Sequence, residues 1–161
     1  MSALSRFLSQ LALWFSAIGL VAMTAIIGWQ VFGRYLLGDA PAWAEQAALF
    51  LMLWFILFAA AAGVREGFHI RLSLLQDSIG EASRKTAAMI CHLVVLLFGA
   101  GMAWGGAELA LATWQHDIPT LGLPRGLAYA PLPAAGVLIM FFSVEHILAE
   151  RSGSKVEPLW S

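Results

Sequence analysis

Four long stretches of the chain contain no aspartate, glutamate, lysine or arginine, and short polar segments separate them. At a rise of about 1.5 Å per residue, a helix needs about 20 apolar residues to cross a hydrocarbon core about 30 Å thick. The pattern therefore predicts an all-α integral membrane protein with four transmembrane helices. With their flanks, the predicted spans cover approximately residues 11–33, 43–64, 86–107 and 126–148.

The polar segment between the second and third spans has an amphipathic pattern of its own. Its stripe of apolar residues at helical spacing is Phe68, Leu72, Leu75 and Ile79. Polar residues such as His69 and Asp77 fall elsewhere around the helix, so we predict a short interfacial helix over residues 68–80. Ile70 and Leu74 lie off the stripe, which leaves open a contact between this segment and a protein neighbour.

Prolines interrupt the approach to the fourth span. Pro124, Pro131 and Pro133 each lack a backbone N–H and disfavour helix at the preceding residue. We therefore expect a broken or re-entrant start, with the continuous helix beginning near Pro131. Irregular backbone at membrane depth must face protein or water, which suggests a protein neighbour or a deep outer vestibule at this point.

The composition supports a membrane protein and excludes other classes. Hydrophobic residues make up 60% of the chain, charged residues 12%, and the mean hydropathy is +0.79, whereas soluble domains carry about 25% charged residues. Residues 1–161 are predicted to form a single membrane domain. Nine basic against ten acidic residues offer no basic surface, so we expect no nucleic-acid partner.

The distribution of lysine and arginine predicts the orientation. Cytoplasmic segments of membrane proteins are enriched in these residues. If both termini are cytoplasmic, only Arg34 and Arg125 lie outside, and the other seven basic residues lie inside. Both termini are therefore predicted to be cytoplasmic.

The chain offers little chemistry for catalysis, so we predict that it is not an enzyme. It has only two lysines and no phosphate-binding loop, a single cysteine, Cys91, and no zinc-binding pair. We expect no catalytic or substrate-binding residues, no metal and no cofactor. His92 is the only ionisable residue deep within a span. One alternative remains open, because His69, His92 and His146 all map toward the cytoplasmic side and could ligate a haem.

Several residues near the predicted membrane boundaries are candidates for helix contacts. Arg34 and Glu45 would form an ion pair if the first two spans pack as an antiparallel hairpin. Trp54 lies in mid-span, which suggests either packing against another helix or contact with lipid. Gly101 and Gly105 are four residues apart, the spacing that lets helix backbones approach in a bilayer.

Four motifs of the chain resemble those of a known family. They are residues 30–35 (QVFGRY), residues 43–46 (WAEQ), residues 69–72 (HIRL), and the set Pro124, Tyr129 and Pro131. In this order on a four-span chain they resemble the small membrane subunit of TRAP transporters, the tripartite ATP-independent periplasmic systems. Gln30, Gln46 and Ser73 stand where asparagine, a second glutamate and aspartate are common. Gln46 therefore offers no charge for a contact with the large subunit.

The resemblance implies a multi-pass protein of the bacterial inner membrane that forms a stable heterodimer with a large TRAP membrane subunit. A periplasmic solute-binding protein would dock transiently, and membrane lipids would surround the pair. The small subunit would be a scaffold in ion-gradient-driven uptake of a carboxylate-type solute. The predicted partner-interface residues are Arg34, Tyr35, Trp43, Glu45, Gln46, Trp54, Gly101 and Gly105. The predicted periplasmic docking residues are His116, Asp117 and Arg125.

Two other functions compete with this interpretation. One is a haem-binding membrane electron-transfer subunit, which would have a Soret band. The other is a self-assembling small channel or exporter, which would transport when reconstituted alone.

Overall fold

The structure is a computed structural model that describes residues 2–39, 41–67 and 81–152, together with residues 156 and 159. Its helices are α1 (Ser2–Phe32), α2 (Ala42–Arg65), α3 (Glu81–Ala112), α4 (Arg125–Tyr129) and α5 (Pro131–Ser152). Two short strands, β1 (Asp117–Ile118) and β2 (Leu123–Pro124), precede α4. Four segments are long and apolar enough to cross a membrane, as predicted. The predicted interfacial helix over residues 68–80 lies outside the described residues.

The helices are longer than the predicted spans. The lengths of α1 and α3, 31 and 32 residues, correspond to about 45 to 50 Å, well beyond a hydrocarbon core of about 30 Å. The prediction placed the boundaries by charge, but the helices continue through the polar residues beyond those boundaries. A helix satisfies its own backbone hydrogen bonds, so it need not end where the apolar run ends.

A π-helical turn over Gly33–Leu37 ends the first helical segment. The chain leaves it through Gly38, whose φ of 71° is left-handed and favours glycine. The Gly38 N–H donates to the carbonyl of Gly33, which closes the turn. After Pro41, the helix α2 begins at Ala42 and runs back alongside α1.

The four long helices form a layer whose order differs from their order in the chain. Helix α1 packs along α2, α2 packs along α5, and α5 packs along α3. The layer order is therefore α1–α2–α5–α3, with α1 and α3 at its edges. The core in its middle consists of Ala61, Val64, Ala135, Ile139 and Phe142.

Glycines allow a close contact between α3 and α5. A Cβ at Gly136 would lie 2.6 Å from the Ala103 backbone nitrogen and 2.7 Å from the Gly99 carbonyl oxygen. Glycine therefore lets the two backbones approach, as small residues do in membrane helix pairs. Gly106 packs similarly against Leu132.

The fourth span is broken where the prolines predict. Helix α4 ends at Tyr129 and α5 begins at Pro131. In a continuous helix the carbonyl of Leu127 would accept a hydrogen bond from residue 131, but proline has no N–H. The indole N–H of Trp54 donates to this carbonyl instead, at 3.2 Å. A buried carbonyl needs such a partner, so Trp54 joins α2 to the break.

Candidate partner-binding surfaces and a buried polar cluster

We call the end of the layer that carries the π-turn, the start of α2 and the β-hairpin the hairpin end. Five of the predicted interface residues lie there, on the π-turn and the first turn of α2. All five have exposed side chains: Arg34, Tyr35, Trp43, Glu45 and Gln46. Tyr35 is 78% exposed. We refer to these five residues as the α1–α2 patch.

The predicted ion pair between Arg34 and Glu45 is wrong. Both side chains are exposed, and the described residues contain no ion pair between them. Arg34 belongs to the π-turn, whereas Glu45 lies beside Met23, Thr24 and Ile27 at a groove of about 360 Å³ between α1 and α2. The extra turn at the end of α1 was not foreseen when the pair was predicted from an ideal helical hairpin.

The β-hairpin presents the three predicted docking residues. His116, Asp117 and Arg125 are exposed, and the Arg125 backbone N–H donates to the His116 carbonyl at 2.6 Å. The hairpin is anchored by Ile118, which is buried. Arg125 also borders a recess of about 140 Å³ next to Gln46. These three side chains have no hydrogen bond or ion pair within the described chain, so they are available to a partner.

The remaining predicted interface residues lie elsewhere. Gly101 and Gly105 are exposed on α3, and a Cβ at either position would meet open space. Next to them, Trp104 is 80% exposed. Because α1 and α3 are opposite edges of the layer, the structure does not bring this α3 patch (Gly101, Trp104 and Gly105) together with the α1–α2 patch. The eighth residue, Trp54, is half-buried and its ring lies 6.5 Å from that of Phe15.

The opposite end of the layer holds a cluster of polar side chains that the sequence analysis did not foresee. The cluster consists of Ser5, Ser9, Arg65, Glu66, His92, Ser143, Glu145 and His146. All except the half-buried His146 are buried. We call it the polar cluster. It contains residues from all four long helices, together with Glu66, which follows α2.

Glu66 is the centre of the hydrogen bonds in the polar cluster. Its Oε1 accepts from Arg65 at 2.9 Å and from Ser9 at 3.1 Å. Its Oε2 accepts from the backbone N–H of Leu159 at 2.7 Å. A second carboxylate, Glu145, accepts from Ser5 at 2.7 Å. The first helix is thus tied to α2 and α5 through two serines one helical turn apart.

The two histidines of the polar cluster do not fit the haem alternative. The rings of His92 and His146 stack with centroids 4.8 Å apart and planes 9° apart. The Nε2 of His146 donates to the Arg65 carbonyl at 3.0 Å. Two imidazoles that ligate one iron each aim a nitrogen at the metal from opposite sides, which face-to-face stacked rings do not do. His69, the third residue of that alternative, lies outside the described residues.

Arg65 is one of the seven basic residues whose distribution predicts the orientation. Arg65 is 2% exposed and Glu145 is 7% exposed, so both are internal. The signal that could have found them is Ser5 and Ser9, two small polar residues four positions apart near the start of an apolar helix. Nothing in the sequence indicated which carboxylates accept hydrogen bonds from these serines.

Comparison with known proteins supports the resemblance suggested by the motifs. The family model described as "Tripartite ATP-independent periplasmic transporters, DctQ component" matches residues 23–152. The chain belongs to this family. It is therefore a small TRAP permease subunit, a multi-pass component of the bacterial inner membrane that is part of a transporter rather than an enzyme.

Similar proteins carry the same description. The sialic acid TRAP transporter small permease protein SiaQ of Vibrio cholerae is 25% identical, over 80% of this chain and 74% of that protein. The C4-dicarboxylate TRAP transporter small permease protein DctQ of the same organism is 28% identical, over 80% and 72%. The ectoine TRAP transporter small permease protein TeaB of Halomonas elongata is 20% identical, over 91% and 79%. Subunits of this kind function with a large membrane subunit and a periplasmic binding protein.

Proposed function

We propose that this subunit is the static scaffold of its TRAP transporter and works as a single membrane domain. The observation that carries the proposal is the layer order α1–α2–α5–α3, in which two helices are edges and the apolar faces remain uncovered. Large exposed side chains on α1 and α3 include Trp14 and Trp104, at 70% and 80% exposure. An open layer widens a partner's frame in the bilayer more effectively than a compact bundle of the same helices.

The position of the buried charges supports a scaffold rather than a carrier. Solute and ion pathways usually place ionisable groups along the interior of a membrane protein. In the described residues, every buried charged side chain belongs to the polar cluster at one end: Arg65, Glu66 and Glu145. The middle of the layer is apolar, so we propose that translocation takes place in the large subunit.

We propose that the large subunit covers the α1–α2 patch, the α3 patch, or a face that includes both. The exposed glycines of the α3 patch would allow close backbone approach. The α1–α2 patch offers Arg34 and Glu45 as charges without partners in the described chain. Trp54 supports this surface indirectly, because it holds α2 against α4.

We propose that the hairpin end faces the periplasm and that both termini are cytoplasmic. The excess of basic residues at the opposite end supports this orientation. The binding protein would then meet the exposed His116, Asp117 and Arg125. Their position on a short hairpin fixed by buried Ile118 makes them a rigid contact.

We propose a small carboxylate-bearing solute, taken up at the expense of an ion gradient. Sialic acid, C4-dicarboxylates and ectoine, the solutes in the names of the relatives, all carry a carboxyl group. Within the described part of this chain, no site suits such a solute.

Reconstitution tests the scaffold proposal. Proteoliposomes would contain the large subunit alone, the small subunit alone, or both, with the binding protein added outside and radiolabelled solutes offered under an ion gradient. We expect uptake only from the pair. Transport by the small subunit alone would instead identify a self-sufficient channel or exporter and would overturn the proposal.

Site-specific crosslinking tests the proposed interface. Replacing the single cysteine, Cys91→Ser, gives a background in which one cysteine at a time is introduced at Trp43, Gln46, Gly101 or Gly105. We expect capture of the large subunit from at least one patch. Ala135, which is buried in the layer, is the matched control and should give no product. A stable complex with no crosslink from either patch would count against both surfaces.

A further inference from the structure

Four polar atoms of the polar cluster are buried and have no hydrogen-bond partner within the described chain. They are Arg65 Nε, His92 Nδ1, Ser143 Oγ and Glu145 Oε2. Buried polar groups in native proteins are nearly always bonded to protein or to ordered water. A small polar molecule is therefore the expected partner of at least some of these atoms.

The hydrogen bonds of α1 place the two most strongly charged of these groups near each other. Ser5 donates to Glu145 and Ser9 donates to Glu66, so the two carboxylates lie about one helical turn apart along α1. Arg65 is paired with Glu66 at 2.9 Å. Arg65 and Glu145 themselves form no direct ion pair in the described chain, and each keeps one free polar atom.

We infer that an ordered water molecule bridges Arg65 Nε and Glu145 Oε2 and forms an internal water-binding site in the polar cluster. The water would accept a hydrogen bond from the guanidinium N–H and donate one to the carboxylate. Buried waters typically make about three hydrogen bonds, and His92 Nδ1 is a further unpartnered polar atom of the cluster.

The chemistry of the cluster selects water over an ion. A metal cation or sodium ion beside Glu145 would leave the Arg65 Nε–H without a partner, because a guanidinium only donates hydrogen bonds and cannot ligate a cation. An anion beside Arg65 would be repelled by the carboxylates of Glu66 and Glu145. Water can bond to both groups, because one molecule can accept a hydrogen bond from the guanidinium and donate one to the carboxylate.

The bridging water completes a connection that the direct hydrogen bonds leave unfinished. Ser5 and Ser9 already join α1 to α5 and α2, and His146 joins α5 to the end of α2. The water joins Arg65 to Glu145, so that the cluster becomes one network rather than two adjacent ones. Networks of this kind couple their members energetically.

A structure at a resolution that shows ordered water tests the site directly. The sample is the full-length chain in lipid nanodiscs, purified with the proteins that copurify with it. We expect one density peak within about 2.7–3.2 Å of both Arg65 Nε and Glu145 Oε2. An empty gap, or a peak whose short distances and ion dependence identify a metal cation, would overturn the inference.

A double-mutant cycle tests the coupling. Glu145→Gln keeps the acceptor for Ser5 but replaces the water's acceptor by an amide donor, and Arg65→Met removes the water's donor. We expect each single variant to lower the melting temperature by about 5 °C or more, and the double variant to lose clearly less than the sum. Additive losses would overturn the inference.

A control variant separates the site from general effects of charge. Glu108→Gln removes a carboxylate from an exposed position of α3 and should leave the melting temperature unchanged. If Glu145→Gln is equally silent, Glu145 takes no part in a stabilising water bridge, which also overturns the inference. If the cluster variants do not fold, the density in the unmodified protein decides.

Discussion

The charged residues at the two ends of the layer differ in burial and in bonding. At the polar cluster, Arg65, Glu66 and Glu145 are buried and bonded to other residues of the chain. At the hairpin end, Arg34 and Arg125 are exposed and have no partner within the described chain. Charges at both ends looked alike in the sequence, because all of them flank apolar spans.

The difference implies a different function for each end of the layer. A charge that is buried among its own helices is committed to the fold, since removing its partner leaves it without compensation. A charge that is exposed contributes little to stability and remains free for recognition. One end therefore holds the four helices together, and the other presents the surface by which we propose that the subunit meets its partners.

The largest expected effect comes from removing the centre of the polar cluster. Glu66→Ala deprives the buried Arg65 of its ion-pair partner, and Ser9 and Leu159 of their acceptor. We expect the free energy of unfolding to fall by about 3–5 kcal/mol, measured by reversible denaturation in mixed micelles. Glu45→Ala at the hairpin end is the matched control. Equal losses from both variants would abolish the distinction between the two ends.

The next largest effect is expected in the middle of the layer. Gly136→Ala places a Cβ against the Ala103 backbone, and overpacking of this kind typically costs about 1–3 kcal/mol. Gly101→Ala is the control: its Cβ meets open space, and alanine favours helix over glycine by up to about 1 kcal/mol. The two variants should therefore shift the melting temperature in opposite directions. A shift in the same direction would show that α3 packs differently.

A smaller effect tests the hydrogen bond between Trp54 on α2 and the break in the fourth span. Trp54→Phe removes the indole N–H and leaves the Leu127 carbonyl without a donor, which should cost about 1–2 kcal/mol. Trp43→Phe, at an exposed position, should cost nothing measurable. If Trp54→Phe is equally harmless, another donor bonds to the Leu127 carbonyl at the break in the fourth span.

The smallest effect on stability is expected at the hairpin itself. Arg125→Gln should leave the melting temperature unchanged because the side chain is exposed and makes no bond in the described chain. In reconstituted transport it should raise several-fold the binding-protein concentration that gives half-maximal uptake, without lowering the maximal rate. Arg125→Lys, which keeps the charge, should restore part of the effect. Normal dependence on binding protein in Arg125→Gln would remove Arg125 from the docking surface.

The spans and the break in the fourth one could be predicted from the sequence because their causes are local. An apolar run of sufficient length and a proline without an N–H act at the residues that carry them. Packing against another helix was one of the two environments, beside contact with lipid, that the mid-span position of Trp54 suggested. The acceptor of the Trp54 indole, the Leu127 carbonyl, could not be predicted because it depends on the position of α4 in the fold.

The charges and glycines could be assigned only from the packing. Arg65 and Glu145 are 80 positions apart and neighbour apolar spans, so only the packing of α2 against α5 revealed their burial. The four-residue spacing of Gly101 and Gly105 suggested a helix contact, yet the contact between α3 and α5 uses Gly99, Gly106 and Gly136. Spacing identifies a face that allows close approach but does not identify the helix that approaches it.

The layer order has a consequence for how the protein is made. Helix α5 follows the other three long helices of the described chain, yet it lies between α2 and α3. Until it inserts, α2 and α3 have no partner between them, and the carboxylate that receives Ser5 has not been synthesised. Chains normally fold as they emerge, beginning at the N-terminus. A nascent chain that stops before Pro131 would therefore contain the α1–α2 pair and a separate α3, and the insertion of α5 completes the layer.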